Sequence, residues 1–275
     1  QGETQIQLDV IANDIFKEEL TKCELVAGLA SEEMEDVCNL RQADYLVLFD
    51  PVDGSSNVEI NVTVGSIFSV LNAPEGRMPA AADYLQAGRQ QVAAGYTLYG
   101  PATMMVITIG KGTYGFTLDL EAKSFVLTHP NMRVTEMTSE YAINASNERF
   151  WEPPLERYIS ECNAGESGER KRNFNMRWVA SLVAEVHRIL LRGGIYLYPR
   201  DSRMPLKAGR LRLMYELNPM SFLVEQAGGK SSTGEMRVMD IIPTHVHERA
   251  PIMIGTSQEV ILLERYTKAF KASDA

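Results

Sequence analysis

Cysteine is scarce in this chain. The 275 residues hold three, Cys23, Cys38 and Cys162, far apart in the sequence. They form no CxxC, no zinc spacing and no even-numbered framework, which excludes a disulfide-built fold and points to a reducing cytoplasm. Positive charge is also short: 27 Lys and Arg stand against 36 Asp and Glu, for a net charge of -9. That balance argues against nucleic acid as the main partner. It does not exclude an anionic substrate, because bound metal ions reverse the local field. No apolar run approaches membrane-spanning length, and no signal peptide is visible. Internal repeats and low-complexity segments are missing. Gly110-Lys111-Gly112-Thr113-Tyr114-Gly115 matches GxGxxG by letter, but hairpin-like flanks and no following helix exclude a dinucleotide site. The sequons at Asn61 and Asn144 are chance matches without a secretion signal. Gln1 is no initiator, so a preceding segment is expected.

What is present is a soluble composition, 45% hydrophobic and 23% charged, long enough for two lobes around a sizeable core. One stretch organises it: Tyr45-Leu46-Val47-Leu48-Phe49-Asp50-Pro51-Val52-Asp53-Gly54-Ser55-Ser56-Asn57. Five apolar residues without a charge suit a strand buried on both faces. Pro51 lacks an N–H, so the strand is expected to end there, and Gly54 permits a tight turn. Asp50 and Asp53 then stand at a strand's carboxyl end, where α/β folds place ligands. Two carboxylates that close repel unless a cation lies between them, and oxygen ligands suit Mg²⁺ or Mn²⁺. The Gly-Ser-Ser-Asn that follows offers N–H groups and hydroxyls to a phosphate.

The remaining chain reads as α/β. Residues 4–22 form an amphipathic helix with Leu8, Ile11, Ile15 and Leu20 on the apolar side; by that pattern Asp9 is a solvated carboxylate. Residues 25–30 are a buried strand running into Ser31-Glu32-Glu33, which composition alone reads as an acidic surface loop. Residues 62–71 are a strand, 74–90 an exposed loop, and 91–99, 103–109, 113–120 and 124–128 the strands of an antiparallel or mixed sheet. A second half starts near residue 132. It has helices over 152–162 and 178–192, a strand at 195–198, and a helix opened by Asn218-Pro219 and closed by Gly228-Gly229. A strand near 251–255 and a helix near 257–271 complete it. His187 is expected to be packed on its helix, and His245 and His247 show no ligand spacing.

The string Asp50-Pro51-Val52-Asp53-Gly54-Ser55-Ser56-Asn57 resembles the signature of the metal-dependent sugar phosphatases, most closely class I fructose-1,6-bisphosphatase. Gly2-Glu3…Leu8-Asp9, Ser31-Glu32-Glu33, Arg177-Trp178-Val179-Ala180-Ser181…His187-Arg188 and Leu211 to Met220 resemble that family in the same order. The resemblance implies a layered αβαβα sugar phosphatase fold with two lobes, residues 1–132 carrying most metal ligands and 133–275 binding substrate. It implies hydrolysis of the 1-phosphate of fructose 1,6-bisphosphate, a step of gluconeogenesis and the Calvin cycle, with two or more Mg²⁺ ions in a homotetramer. Metal ligands fall on Glu32, Glu33, Asp50, Asp53, Glu216 and the carbonyl of Val52; Asp9 and Glu33 position and deprotonate the water, aided by Glu3. Gly54, Ser55, Ser56 and Arg212 meet the 1-phosphate; Asn144, Asn147, Arg177, Trp178, Tyr198 and Arg210 form the 6-phosphate pocket, with Arg177 reaching a neighbouring subunit. Without the family match, Arg212 reads as an exposed strand residue.

Some positions depart from the family. Members often carry Tyr at the positions of Asn147 and Trp178 and Lys at that of Arg210, which keeps a sedoheptulose-1,7-bisphosphatase as the nearest alternative. An inactive metabolite-binding homologue is the alternative of another class. An inositol-phosphate-type enzyme is disfavoured by the Leu211–Met220 string. Asp44 and Asn72 stand where AMP-sensitive members carry basic residues, and the N-terminal segment of that site does not precede them. Weak or no AMP inhibition is therefore the expectation, refuted by inhibition at micromolar AMP.

Overall fold

A computed structural model describes residues 7–200 and 209–273. Helix α1 (Gln7–Lys22) is followed by strands β1 (Val26–Ser31), β2 (Cys38–Asn39), β3 (Tyr45–Asp53), β4 (Val64–Asn72), β5 (Ala93–Tyr99), β6 (Thr103–Thr108), β7 (Thr113–Asp119) and β8 (Ser124–Met132). They form one sheet in the order β2-β1-β3-β4-β5-β6-β7-β8. Only β1 and β3 are parallel neighbours; the other pairs are antiparallel. All of β1 is buried and so is β3 after Tyr45. The reason is a layer on each face. Val26, Leu29, Val47 and Phe49 pack against Phe16 and Leu20 of α1, with the Phe16 and Phe49 rings stacked at 4.9 Å. Leu46 and Leu48, pointing the other way, join the main core.

The second sheet runs β10-β9-β11-β15-β13. Its strands are β9 (Glu140–Ala142), β10 (Asn175–Met176), β11 (Ile195–Tyr198), β13 (Lys230–Ser232) and β15 (Ile252–Gly255). A separate pair joins β12 (Leu211–Arg212) to β14 (Arg249–Ala250). Helices α3 (Leu182–Arg192) and α4 (Asn218–Gln226) contact both sheets, filling the space between them with Leu182, Val186, Leu223 and Val224. Helices α2 (Pro153–Asn163) and α5 (Ser257–Ser273) cover the outer face of the second sheet through Leu155, Tyr158, Val260 and Leu263. The layers are therefore α1, sheet, α3 with α4, sheet, α2 with α5: the αβαβα arrangement. Among the described residues no helix is long and apolar enough to cross a membrane.

Five local expectations are corrected. The inward face of α1 is polar: Asp9 and Asn13 are buried, whereas Leu8, Ile11 and Ile15 are 39%, 47% and 57% exposed. Asp9 is thus no solvated carboxylate; the turn that brings Phe16 onto β3 also turns Asp9 inward. β3 does not stop at Pro51 but continues to Asp53 through an irregularity in its pairing with β4. There the Pro51 carbonyl accepts from Ser66 Oγ at 2.7 Å and the Val52 N–H donates to Asp50 Oδ1 at 2.9 Å. Side chains thus satisfy backbone groups that the irregular ladder leaves without strand partners. The 74–90 loop is not wholly exposed, since Tyr84 is fully buried with its hydroxyl 3.0 Å from Asn39 Oδ1. α3 begins at Leu182 rather than 178, because Ala180 adopts a left-handed φ of 61° and Ser181 caps Ala184. Asn218 is not an N-cap: a π-helical turn over Leu213–Leu217 runs directly into α4.

Candidate active site

Parallel pairing of β1 and β3 sets their carboxyl ends side by side, with Ser31 opposite Phe49. The Glu32 N–H extends the ladder to the Phe49 carbonyl at 3.1 Å. Glu32 and Asp50, 18 positions apart in the sequence, thereby become neighbours. Glu216 arrives from the π-helical turn; such wide turns recur at functional sites. The Arg212 N–H donates to Glu216 Oε2 at 2.6 Å. One oxygen each from Glu32, Asp50 and Glu216 lies within 4.8 Å of the others. Burial first, and then Glu32 and the other carboxylates, push Asp50 well above the usual carboxylate range; burial and Glu32 do the same to Glu216. The Arg212 guanidinium contacts Glu32. Three hard oxygen donors whose charges resist burial together fit a divalent cation.

These groups floor a cleft of about 1110 Å³. Asp9, Glu33, Val52, Asp53, Gly54, Ser55, Ser56, Asn144, Trp178, Tyr198, Arg210 and Arg212 also line it. Asp53 stands apart from the three clustered carboxylates and caps α3. Its Oδ2 accepts from Ser181 Oγ at 2.7 Å and from the Val183 N–H at 2.8 Å, and Oδ1 from the Leu182 N–H at 3.2 Å. Burial raises its pKa while these three bonds oppose the rise. A carboxylate has about four acceptor sites, so capping leaves capacity for a cation. Gly54 has φ 77°, and a Cβ there would lie 2.8 Å from Ser181 Cβ. The turn needs glycine both for its backbone and for the close approach of α3.

The far end of the cleft is aromatic. Trp178 stacks on Tyr196 at 5.9 Å with 6° between the planes, and Tyr198 lies 6.3 Å from Trp178. Asn144, Tyr198 and Arg210 line both this cleft and a small adjoining hollow that includes Asn147, Trp151 and Arg200. Two expected residues do not join the cleft lining: Asn147 belongs to the hollow, and Arg177 is 48% exposed and pairs with Glu140 at 3.7 Å. Glu3 lies outside the described residues. The Arg212 side chain is 14% exposed, not an open strand residue.

Sequence reasoning missed one wall. His245, His247 and Arg249 line the cleft beside Met34 and Glu35. They come from a turn, closed by the Glu248 N–H on the His245 carbonyl at 3.1 Å, that leads into β14, so no periodicity in the sequence marks them. His247 packs on Tyr215 at 5.4 Å, its Nε2 lies 3.2 Å from the Glu35 carbonyl, and burial lowers its pKa. No histidine joins the clustered carboxylates among the described residues. His187 is packed as expected, with Nδ1 2.8 Å from the Tyr96 hydroxyl.

Comparison with known proteins bears on this arrangement. Family models described as the N-terminal and C-terminal domains of fructose-1-6-bisphosphatase match residues 1–130 and 134–268. The class 1 fructose-1,6-bisphosphatase of Methylacidiphilum infernorum is 55% identical over 271 residues, covering 97% of this chain and 76% of its own length. That of Methylobacillus flagellatus is 56% identical over 268 residues, with coverage of 97% and 81%. The crystal structure of Leishmania major fructose-1,6-bisphosphatase in holo form superposes with a TM-score of 0.91 at 39% identity, covering 97% of this chain and 83% of that one.

Proposed function

The chain belongs to the class 1 fructose-1,6-bisphosphatase family, and from that premise we propose that it hydrolyses the 1-phosphate of D-fructose 1,6-bisphosphate to fructose 6-phosphate and phosphate. The observation that carries this reading is the buried group Glu32, Asp50 and Glu216 at the floor of a cleft that also holds Arg212 and Arg210. An acidic floor with basic walls suits a phosphate ester only when cations lie between them. Glu32, Asp50 and Glu216, joined by Glu33, Asp53 and the Val52 carbonyl, would hold two or more Mg²⁺ ions, or Mn²⁺. Bound there, such ions polarise the phosphate and lower the pKa of a water.

The chain's own groups do the rest. Ser55 and Ser56 present hydroxyls beside Gly54 at the cleft floor, and Arg212 supplies a fixed guanidinium; together they hold the 1-phosphate. Asp9 and Glu33 orient the attacking water and take its proton as the new oxygen–phosphorus bond forms in line with the breaking bond to the sugar oxygen, which takes a proton from solvent to leave as the alcohol. The buried position of Asp9 supports this role over a solvated one. Glu3 is assigned a part in completing the metal centre. Asn144, Asn147, Trp178, Tyr198 and Arg210 take the 6-phosphate end. In this reading residues 1–132 are the metal-bearing lobe and 133–275 the substrate lobe.

The exposed Arg177 side chain, outside its own cleft lining, supports a contribution to a neighbour's cleft and hence a homotetramer. Exposed Phe125, Val126 and Leu127 on the edge strand β8 support self-association as well. Free thiols at all three cysteines support a cytoplasmic location. The test is phosphate release from fructose 1,6-bisphosphate with Mg²⁺, beside sedoheptulose 1,7-bisphosphate, with an Asp53→Asn control. Turnover of the fructose ester that the substitution abolishes is the expected result. Preference for the seven-carbon ester would move the assignment to that substrate. A folded protein that turns over neither would be a non-catalytic metabolite-binding homologue.

A further inference from the structure

The segment between Arg177 and α3 supplies Trp178 to the aromatic end of the cleft, yet it belongs to neither a helix nor a strand. Its backbone must find partners elsewhere. The two peptide groups flanking Val179 are bound by side chains from opposite directions. The Val179 N–H donates to Oε1 of Glu185, in the first turn of α3, at 2.8 Å. The Val179 carbonyl accepts from Asn57 Nδ2 at 2.9 Å, from the turn that follows Asp53. Both side chains are buried, Asn57 at 5% exposure and Glu185 at 0%. Between these two peptides and α3 stands Ala180, with a left-handed φ of 61° that a residue bearing a Cβ adopts only at a cost. Something must hold it there.

The clamp is anchored further. Glu185 Oε2 accepts from Arg188 Nη2 at 2.9 Å. Arg188 Nη1 reaches Glu140 at 2.8 Å, and Glu140 lies 3.7 Å from Arg177 at the start of the same segment. Arg177, Val179 and Ser181 are thus each fixed by a carboxylate or an amide, while Trp178 lines the cleft and stacks on Tyr196.

We propose that Glu185 and Asn57 are positioning residues: they clamp the backbone on either side of Val179, enforce the left-handed turn at Ala180, and so aim Trp178 at the substrate end remote from the reacting phosphate. This rests on the bisphosphatase reading only for the identity of that remote end. Neither residue lines the cleft. Their effect is expected on binding of the second phosphate rather than on the chemical step, because the carboxylate floor is built on β1, β3 and the π-helical turn.

The experiment uses Glu185→Ala and Glu185→Gln, with Asn57→Ser as a variant that leaves no buried charge unpaired. The two tryptophans of the chain are Trp151 and Trp178, so a Trp151→Phe background makes Trp178 the sole reporter. Without substrate, acrylamide quenching of Trp178 should rise about twofold in Glu185→Ala and Asn57→Ser. Glu185→Gln keeps an oxygen for the Val179 N–H and should quench as the parent does. With fructose 1,6-bisphosphate, KM should rise about tenfold in Glu185→Ala, the scale of one lost hydrogen bond to a charged group, with kcat within twofold; Asn57→Ser, beside the phosphate turn, is read by quenching alone. Unchanged quenching in both Glu185→Ala and Asn57→Ser, or a fall in kcat at constant KM in Glu185→Ala, overturns the proposal. Quenching reads the clamp without turnover. A parent protein inert towards the bisphosphate therefore sinks the functional reading and leaves the clamp to be judged on fluorescence alone.

Discussion

Replacing Asp50 with asparagine should make the metal-free protein more stable while removing most of its response to Mg²⁺. Asp50 is 4% exposed and Glu216 5%, and their oxygens share a 4.8 Å neighbourhood with Glu32. Two full charges at that separation repel by about 3.5 kcal/mol at an effective dielectric near 20. Burial and mutual repulsion raise Asp50 and Glu216, so the cluster sheds part of its charge as bound protons. The recoverable part is then about 1–2 kcal/mol. Asparagine keeps an oxygen for the Val52 N–H, now 2.9 Å from Asp50 Oδ1, so the irregular turn of β3 stays supported. At roughly 2–4 °C per kcal/mol for a chain of this size, the variant should melt about 2–8 °C above wild type in chelator. Adding Mg²⁺ at a hundredfold excess over its dissociation constant should stabilise wild type by about 2.7 kcal/mol. The variant should gain less than a third of that. Paired thermal melts in chelator and in Mg²⁺ read both effects. An apo variant melting at or below wild type, or an equal gain from Mg²⁺, would falsify the view that these carboxylates are held together for a cation.

Three further outcomes follow from the geometry. Gly54→Ala should cost about 2–3 kcal/mol in a urea titration and abolish turnover, because its Cβ would meet Ser181 Cβ at 2.8 Å in a left-handed backbone; a loss below about 0.5 kcal/mol would show that the turn adapts. Burial lowers the His187 pKa to about 4, so the unfolded chain binds more protons as pH falls below the ordinary value near 6.5. Wild type should therefore lose about 2 kcal/mol from this group between pH 7.5 and pH 5. His187→Gln should flatten that slope in urea midpoints measured at both pH values, and an unaltered slope would refute the assignment. Arg212→Met should weaken inhibition by inorganic phosphate at least tenfold, since it removes the guanidinium at the acidic floor; unchanged phosphate inhibition would exclude Arg212 from the phosphate site.

Sequence by itself determined the buried strand Tyr45–Phe49, the carboxylates that follow it, the glycine the turn requires and the α/β alternation. Each is a local matter of periodicity, of backbone freedom or of charge packed into a short string. It also allowed the family to be recognised, because the motif strings lie in order along the chain. Only the tertiary structure decided which carboxylates meet. Glu32 and Asp50 become neighbours through parallel pairing, and Glu216 joins them through a π-helical turn that no local signal announces. Pattern placed the apolar side of the first helix inward, whereas packing turned Asp9 and Asn13 in and left Ile11 and Ile15 out. Asp53 reads as a ligand in the sequence, and the fold gave it a second task as the cap of α3. The histidine and arginine wall at 245–249 was invisible for the same reason: an exposed-looking polar run becomes part of a cleft only when a distant segment, here Met34 and Glu35, is folded against it. Side-chain chemistry is written residue by residue, but repulsion, burial and hydrogen-bond partnership are properties of pairs, and the fold chooses the pairs.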